Sequence, residues 1–147
     1  MDRSLAVVTA VVLGGGLAAQ APLNSALGRT VGGVQASLVA LGVSFLALVA
    51  LSAVAGGFGG LARAGEAPLH VLVGGGLIGA LYVGSIVFTV RELGAGGLTA
   101  ATVAGTLAVA VTIDHFGWLD VARSPLTAAK LLGVALLALG TYLVVRD

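Results

Sequence analysis

The chain has 147 residues, of which 59% are hydrophobic and 9% charged, with a formal net charge of +1. Its mean hydropathy is +1.14, whereas an ordinary soluble domain carries about 25% charged residues, which argues against a water-soluble fold. The small net charge offers no basic surface for nucleic-acid phosphates, and zero cysteines with two histidines leave no expected disulfide, metal cluster or cofactor site.

The apolar residues come in five blocks, each near the roughly 20 residues that cross a hydrocarbon core about 30 Å thick. The chain therefore reads as an all-α integral membrane protein, one domain over residues 1–147 with five transmembrane helices. Those helices are expected at about 5–27, 34–55, 69–90, 98–113 and 128–145. The first contains Pro22, which predicts a kink, and ends in Gly28-Arg29-Thr30-Val31-Gly32-Gly33. An N-terminal apolar run of this kind also resembles a signal peptide. With four further blocks behind it, it is better read as the opening helix of a bundle. The second block stops at Gly56-Gly57-Phe58-Gly59-Gly60, the longest loop expected, followed by Arg63 and Glu66.

The third block begins after Pro68 and is closed by Arg91-Glu92. A turn at Gly94-Ala95-Gly96-Gly97 precedes the fourth, which meets Asp114-His115 abruptly. Ser124 and Pro125 have the residue types of a helix N-cap and first helical position, and predict the start of the fifth. All Lys, Arg, Asp and Glu residues fall at block boundaries, as expected when a charge at mid-bilayer costs at least about 2.5 kcal/mol. The 24 glycines follow no collagen period and read as surfaces where helices approach closely.

Lys and Arg distribution sets orientation, because cytoplasmic loops retain positive charge. With five spans, one side carries Arg3, Arg63, Arg123 and Lys130 and the other Arg29, Arg91 and Arg146, a difference of 4 − 3 = 1. So slight a bias predicts insertion in both orientations and antiparallel pairing of two copies, the homodimeric form of a transporter's inverted repeat. The competing reading is a single orientation imposed by a partner or by the first helix.

Several segments resemble a known family. They are Gly16-Leu17-Ala18-Ala19-Gln20-Ala21-Pro22-Leu23-Asn24 with Leu27-Gly28, Ser44-Phe45, Gly75-Gly76-Leu77-Ile78-Gly79-Ala80, and Val103-Ala104-Gly105 leading to Ile113-Asp114-His115-Phe116-Gly117. Together they resemble the YdcZ-like family, a branch of the drug/metabolite transporter superfamily distantly related to the small multidrug resistance exporters. The likeness covers essentially the whole chain, and Ile-Asp-His-Phe-Gly is its most specific part. It implies five helices, a bacterial inner membrane and assembly as antiparallel homodimers, paired heterodimers or fused two-domain chains. Where that family usually has Gly-Gln in helix four, this chain has Gly105-Thr106, so a carboxamide contact becomes a hydroxyl.

On helix one, Gly16, Gln20 and Asn24 recur every four residues and share a face. Two carboxamides on one face need partners in the bundle, at a dimer interface or in a wet cavity. They read either as a substrate site or as interhelical glue, at about 0.6 kcal/mol per hydrogen bond. On helix two, Ser37 and Ser44, with Phe45 beside the latter, either line the same cavity or bond back to their own helix carbonyls. Thr99, Thr102 and Thr106 form a stripe on helix four, and Tyr82, Ser85 and Thr89 one on helix three, where Tyr82 offers a ring and a hydroxyl.

Gly74-Gly75-Gly76-Leu77-Ile78-Gly79 satisfies the dinucleotide-binding pattern, but it sits in an apolar span without a preceding strand. Gly75-x-x-x-Gly79 is better read as a packing surface, as are Gly16, Gly105 and the Gly133/Gly140 ridge of helix five, which resembles the dimerising last helix of the small multidrug exporters. Asp114 and His115 are adjacent where helix four meets water, and read as a proton-accepting pair or a clasp on the loop end. Phe116 and Trp118 suit an interfacial aromatic belt.

No constellation assembles a nucleophile, base or metal, so an enzyme is not expected. The expectation is a small-solute transporter working as an inverted homodimer in membrane lipid, with Gln20, Asn24, Ser44, Tyr82, Thr102 and Thr106 at the interface site. The solute is expected to be neutral or zwitterionic, since no charge sits at mid-membrane. The alternatives are a passive dual-topology channel and an accessory structural subunit.

Overall fold

A computed structural model describes residues 2–146, and among them every regular element is a helix. α1 spans Arg3–Val31 and α2 Gly33–Val54. A 48-residue helical run follows at Leu69–Phe116, and its backbone leaves helical geometry at Gly94 (φ 66, ψ 173). Glycine reaches positive φ without a Cβ penalty, so this one residue divides the run into α3 (69–93) and α4 (95–116). α5 is Ala128–Arg146, and short 3-10 helices occupy Gly59–Glu66 and Trp118–Asp120. Four helical runs are long and apolar enough to cross a membrane, the 48-residue one included. That run has more than twice the roughly 20 residues of one span, so the break yields five helices.

Two boundaries and one helix cap differ from the sequence expectation. The loop expected at Gly28–Gly33 shrinks to Gly32 (φ 92, ψ 150), whose amide donates to the Gly28 carbonyl at 3.0 Å. A Cβ on Gly32 would stand 2.6 Å from Gln35 Oε1, a second reason for glycine there. The turn expected over residues 94–97 is Gly94 alone, because Ala95, Gly96 and Gly97 continue into α4. α5 starts at Ala128, but its N-cap is Thr127 and not Ser124: the Thr127 hydroxyl accepts from the Lys130 amide at 3.2 Å. Ser124 is engaged elsewhere, its hydroxyl and carbonyl both accepting from Lys130 Nζ. α1 continues through Pro22 without interruption.

The chain parts into two compact units between Arg91 and Glu92. In the first, α1 buries Ala21, Asn24, Ser25 and Gly28, and α3 buries Val83, Ile86, Val87 and Val90. Both sets have the i, i+3, i+4, i+7 spacing of one helix face. Small residues on α1 and α2 receive branched and aromatic ones from α3. A Cβ on Gly28 would lie 3.0 Å from Val87 Cγ1, and one on Gly33 would lie 2.7 Å from Phe88 Cζ. The Ser37 hydroxyl is within 3.1 Å of both the Gly33 and Val83 carbonyls, so it ties α2 to α3 as well as bonding back. Leu and Val side chains such as Leu13, Leu38, Leu46 and Leu81 point outward, as lipid-facing positions require.

In the second unit, the Thr141 hydroxyl of α5 donates to the Ala100 carbonyl of α4 at 2.9 Å, and a Cβ on Gly97 would contact Val145 at 3.5 Å. Small residues again allow the close approach.

Candidate functional site

The polar stripe of α1 becomes progressively buried along its length. Gly16 is exposed, Gln20 half-buried, and Asn24 only 7% exposed. Asn24 Nδ2 is buried with no hydrogen-bond partner among the described residues. An amide donor left unpaired away from water costs about 1–3 kcal/mol, so native chains rarely keep one without a reason.

The residue after Asn24 carries a second polar contact. Ser25 is 5% exposed, and its Oγ accepts from Arg91 Nε at 3.3 Å. Arg91 Nη2 would lie 3.3 Å from a Cβ at Gly28, so the absence of a side chain there makes room for the guanidinium. The last part of α1 and the end of α3 are thus joined by Ser25 and Arg91, with Asn24 the residue before Ser25. Of these three residues only Asn24 stands out in the sequence: Arg91 reads as a boundary charge, and a serine next to a carboxamide carries no pattern of its own. The small-residue spacing Ser25-x-x-Gly28 was the available signal.

The other expected site residues are placed less specifically. Ser44 is exposed and its hydroxyl bonds back to the Ala40 carbonyl at 2.9 Å. Tyr82 is half-buried, its carbonyl accepting from Ser85 Oγ at 2.8 Å while Thr89 Oγ1 donates to the Ser85 carbonyl at 2.9 Å. These hydroxyls satisfy themselves within their own helix. In the second unit Thr102 is half-buried and Thr106 exposed, and Thr99 bonds back to the Ala95 carbonyl. Two open, largely apolar grooves lie in that unit. One, of about 380 Å³, runs past Ala101, Thr141, Tyr142 and Arg146, and the other, of about 350 Å³, past Ala108, Thr112 and Trp118.

The expected packing glycines make no close approach within one chain. A Cβ at Gly16, Gly75, Gly79, Gly105, Gly133 or Gly140 would meet nothing within 4 Å. The intrachain approaches use Gly28, Gly33 and Gly97 instead.

Asp114 and His115 hold the connection from α4 to α5. The Ser124 amide donates to the Asp114 carbonyl at 2.8 Å, Arg123 Nε to the His115 carbonyl at 3.0 Å, and the Leu126 amide to His115 Nδ1 at 3.2 Å. Phe116 stacks on Trp118 at 5.0 Å and meets His115 edge-on at 4.9 Å. Gly117 (φ 69), Leu119 (φ 60) and Asp120 (φ 60) take left-handed conformations in this connection.

A family model described as "Putative inner membrane exporter, YdcZ" matches residues 5–143, so the match includes α1 with its polar stripe and the Ile113–Gly117 segment. No curated protein and no solved structure matches the chain.

Proposed function

The chain belongs to this YdcZ exporter family of the inner membrane, and from that premise we propose that it carries a small solute across the bilayer as an inverted homodimer, with the solute at the interface of the two copies. It is an integral inner-membrane protein of five helices. The observation that carries the site is the buried, unpartnered amide of Asn24. In a membrane helix such a group is retained where something other than its own chain uses it.

Gln20, one turn before Asn24, continues the polar face toward the exposed part of α1, and a second copy or a solute supplies its partner. The Lys and Arg count of four against three supports insertion in both orientations. Gly16, Gly75, Gly79, Gly105, Gly133 and Gly140, each with open space beside it, leave smooth helix faces for a second copy to approach. Tyr82 and Ser44, of the same unit as Asn24, offer that solute a ring and a hydroxyl.

The test is counterflow in proteoliposomes of the purified protein, preloaded with a metabolite mixture. Saturable exchange supports a carrier. Flux that rises linearly with concentration supports a channel, and no flux in any condition leaves an accessory subunit.

A further inference from the structure

The cluster at Arg91 narrows what that solute presents, and the argument rests on the transport reading only for the solute's identity. Arg91 is exposed, yet its Nε is fixed on Ser25 Oγ at 3.3 Å. A guanidinium has five N–H donors in a planar fork, and this bond, its one hydrogen bond among the described residues, uses one of them on a neutral hydroxyl. The positive charge is therefore positioned without being neutralised by that contact. Gly28 lets α1 come close to Val87 and to the guanidinium, since a Cβ there would stand 3.0 Å from Val87 Cγ1 and 3.3 Å from Nη2. One turn before Gly28 on the same face, Asn24 holds a further donor without a partner. A cation held on Ser25 and, at the residue before Ser25, a buried amide donor with no partner among the described residues have the donor chemistry of an oxyanion site.

We infer that Arg91, with Ser25 and Asn24, binds an oxyanion, a carboxylate or phosphate group, at the aqueous edge of the α1–α3 seam. Arg91 offers the planar fork that matches two oxygens of such a group at once. Ser25 holds the guanidinium in place, and Asn24 supplies the donor on the buried side. A zwitterionic solute satisfies this site through its carboxylate while its remaining atoms lie along Gln20. An anionic phospholipid satisfies it through its headgroup phosphate.

The experiment uses the full-length protein in a neutral detergent, so it requires no flux. The thermal midpoint is followed against sodium citrate and sodium phosphate, with sodium chloride at matched ionic strength as the reference. The expected result is a saturable rise with citrate or phosphate beyond chloride. Arg91→Gln abolishes it, Arg91→Lys moves half-saturation at least tenfold, and Asn24→Leu at least threefold. Native mass spectrometry after exchange into phosphatidylglycerol forms the second arm. Phosphatidylglycerol retained by the wild-type protein and lost from Arg91→Gln supports the site and assigns it to the headgroup. If Arg91→Gln fails to fold, the comparison of wild type, Arg91→Lys and Ser25→Ala decides, because a merely structural arginine would leave the citrate and phosphate response of Arg91→Lys unchanged. Absence of any Arg91-dependent response to citrate, phosphate and phosphatidylglycerol overturns the inference. Oxyanion binding without flux in proteoliposomes would instead overturn the transport reading and leave this site standing.

Discussion

His115 Nδ1 accepts a hydrogen bond from the Leu126 amide at 3.2 Å, across eleven residues of chain. A neutral imidazole that accepts at Nδ1 carries its proton on Nε2, so this bond fixes the tautomer as well as the loop. The same residue's carbonyl receives Arg123 Nε, and both ends of the α4–α5 connection are held at one position. His115→Ala should speed amide exchange at Leu126 and Ser124 while leaving the helices protected. His115→Asn, whose amide oxygen can take the place of Nδ1, should restore most of the protection. Hydrogen exchange followed by mass spectrometry reads both, and unchanged exchange in His115→Ala would show that the clasp does not order the connection.

Asn24→Leu separates function from packing. Removing a buried polar group that has no partner relieves a penalty of about 1–3 kcal/mol, so the thermal midpoint should stay level or rise. Transport should nevertheless be lost, and Gln20→Leu should lose it too, with the dimer intact by cross-linking. A large drop in the midpoint of Asn24→Leu, or normal transport, would identify these carboxamides as helix glue.

Two classes of glycine should respond differently. At Gly28 a methyl would stand 3.0 Å from Val87 Cγ1 and 3.3 Å from Arg91 Nη2, an overpacking that costs about 1–3 kcal/mol. Gly28→Ala is expected to lower the thermal midpoint of the chain whatever its oligomeric state. Gly133→Leu and Gly140→Leu fill open space within one chain, and should leave the fold alone while weakening dimerisation. Analytical ultracentrifugation in detergent checks the second half, and an unchanged dimer affinity would remove α5 from the interface.

Orientation is open to direct measurement because the natural chain has no cysteine. Ala62→Cys, in the 3-10 segment between α2 and α3, should label with a membrane-impermeant maleimide from both sides of the membrane. Labelling from one side only would rule out dual insertion. Adding two or three lysines to that segment should lock one orientation and abolish activity, since the Lys and Arg count of four against three is easily overturned.

Composition and block length alone settled the class of fold. Hydrocarbon leaves helices as the answer for apolar blocks of about 20 residues without barrel-like alternation, and the charged residues marked the ends of each block to within a few positions. What they left open were local decisions made by backbone hydrogen bonding. Gly32 and Gly94 each absorb a break within one residue, where a run of glycines reads as a longer loop. Thr127 displaced Ser124 as the N-cap because Lys130 reaches back to Ser124 and Pro125, a contact made between residues five and six apart that spacing rules do not contain.

The site divides along the same line. Periodicity put Gly16, Gln20 and Asn24 on one face, because a helix repeats nearly every four residues whatever surrounds it. That Asn24 Nδ2 is buried with no partner among the described residues, that Gly28 leaves room for Arg91, and that Ser25 holds the guanidinium depend on where α3 lies against α1. Arg91 and Ser25 are 66 residues apart, and no local pattern encodes a contact over that distance. It arises because Val83, Ile86, Val87 and Val90 present a branched ridge that only the small-residue face of α1 and α2 can accept.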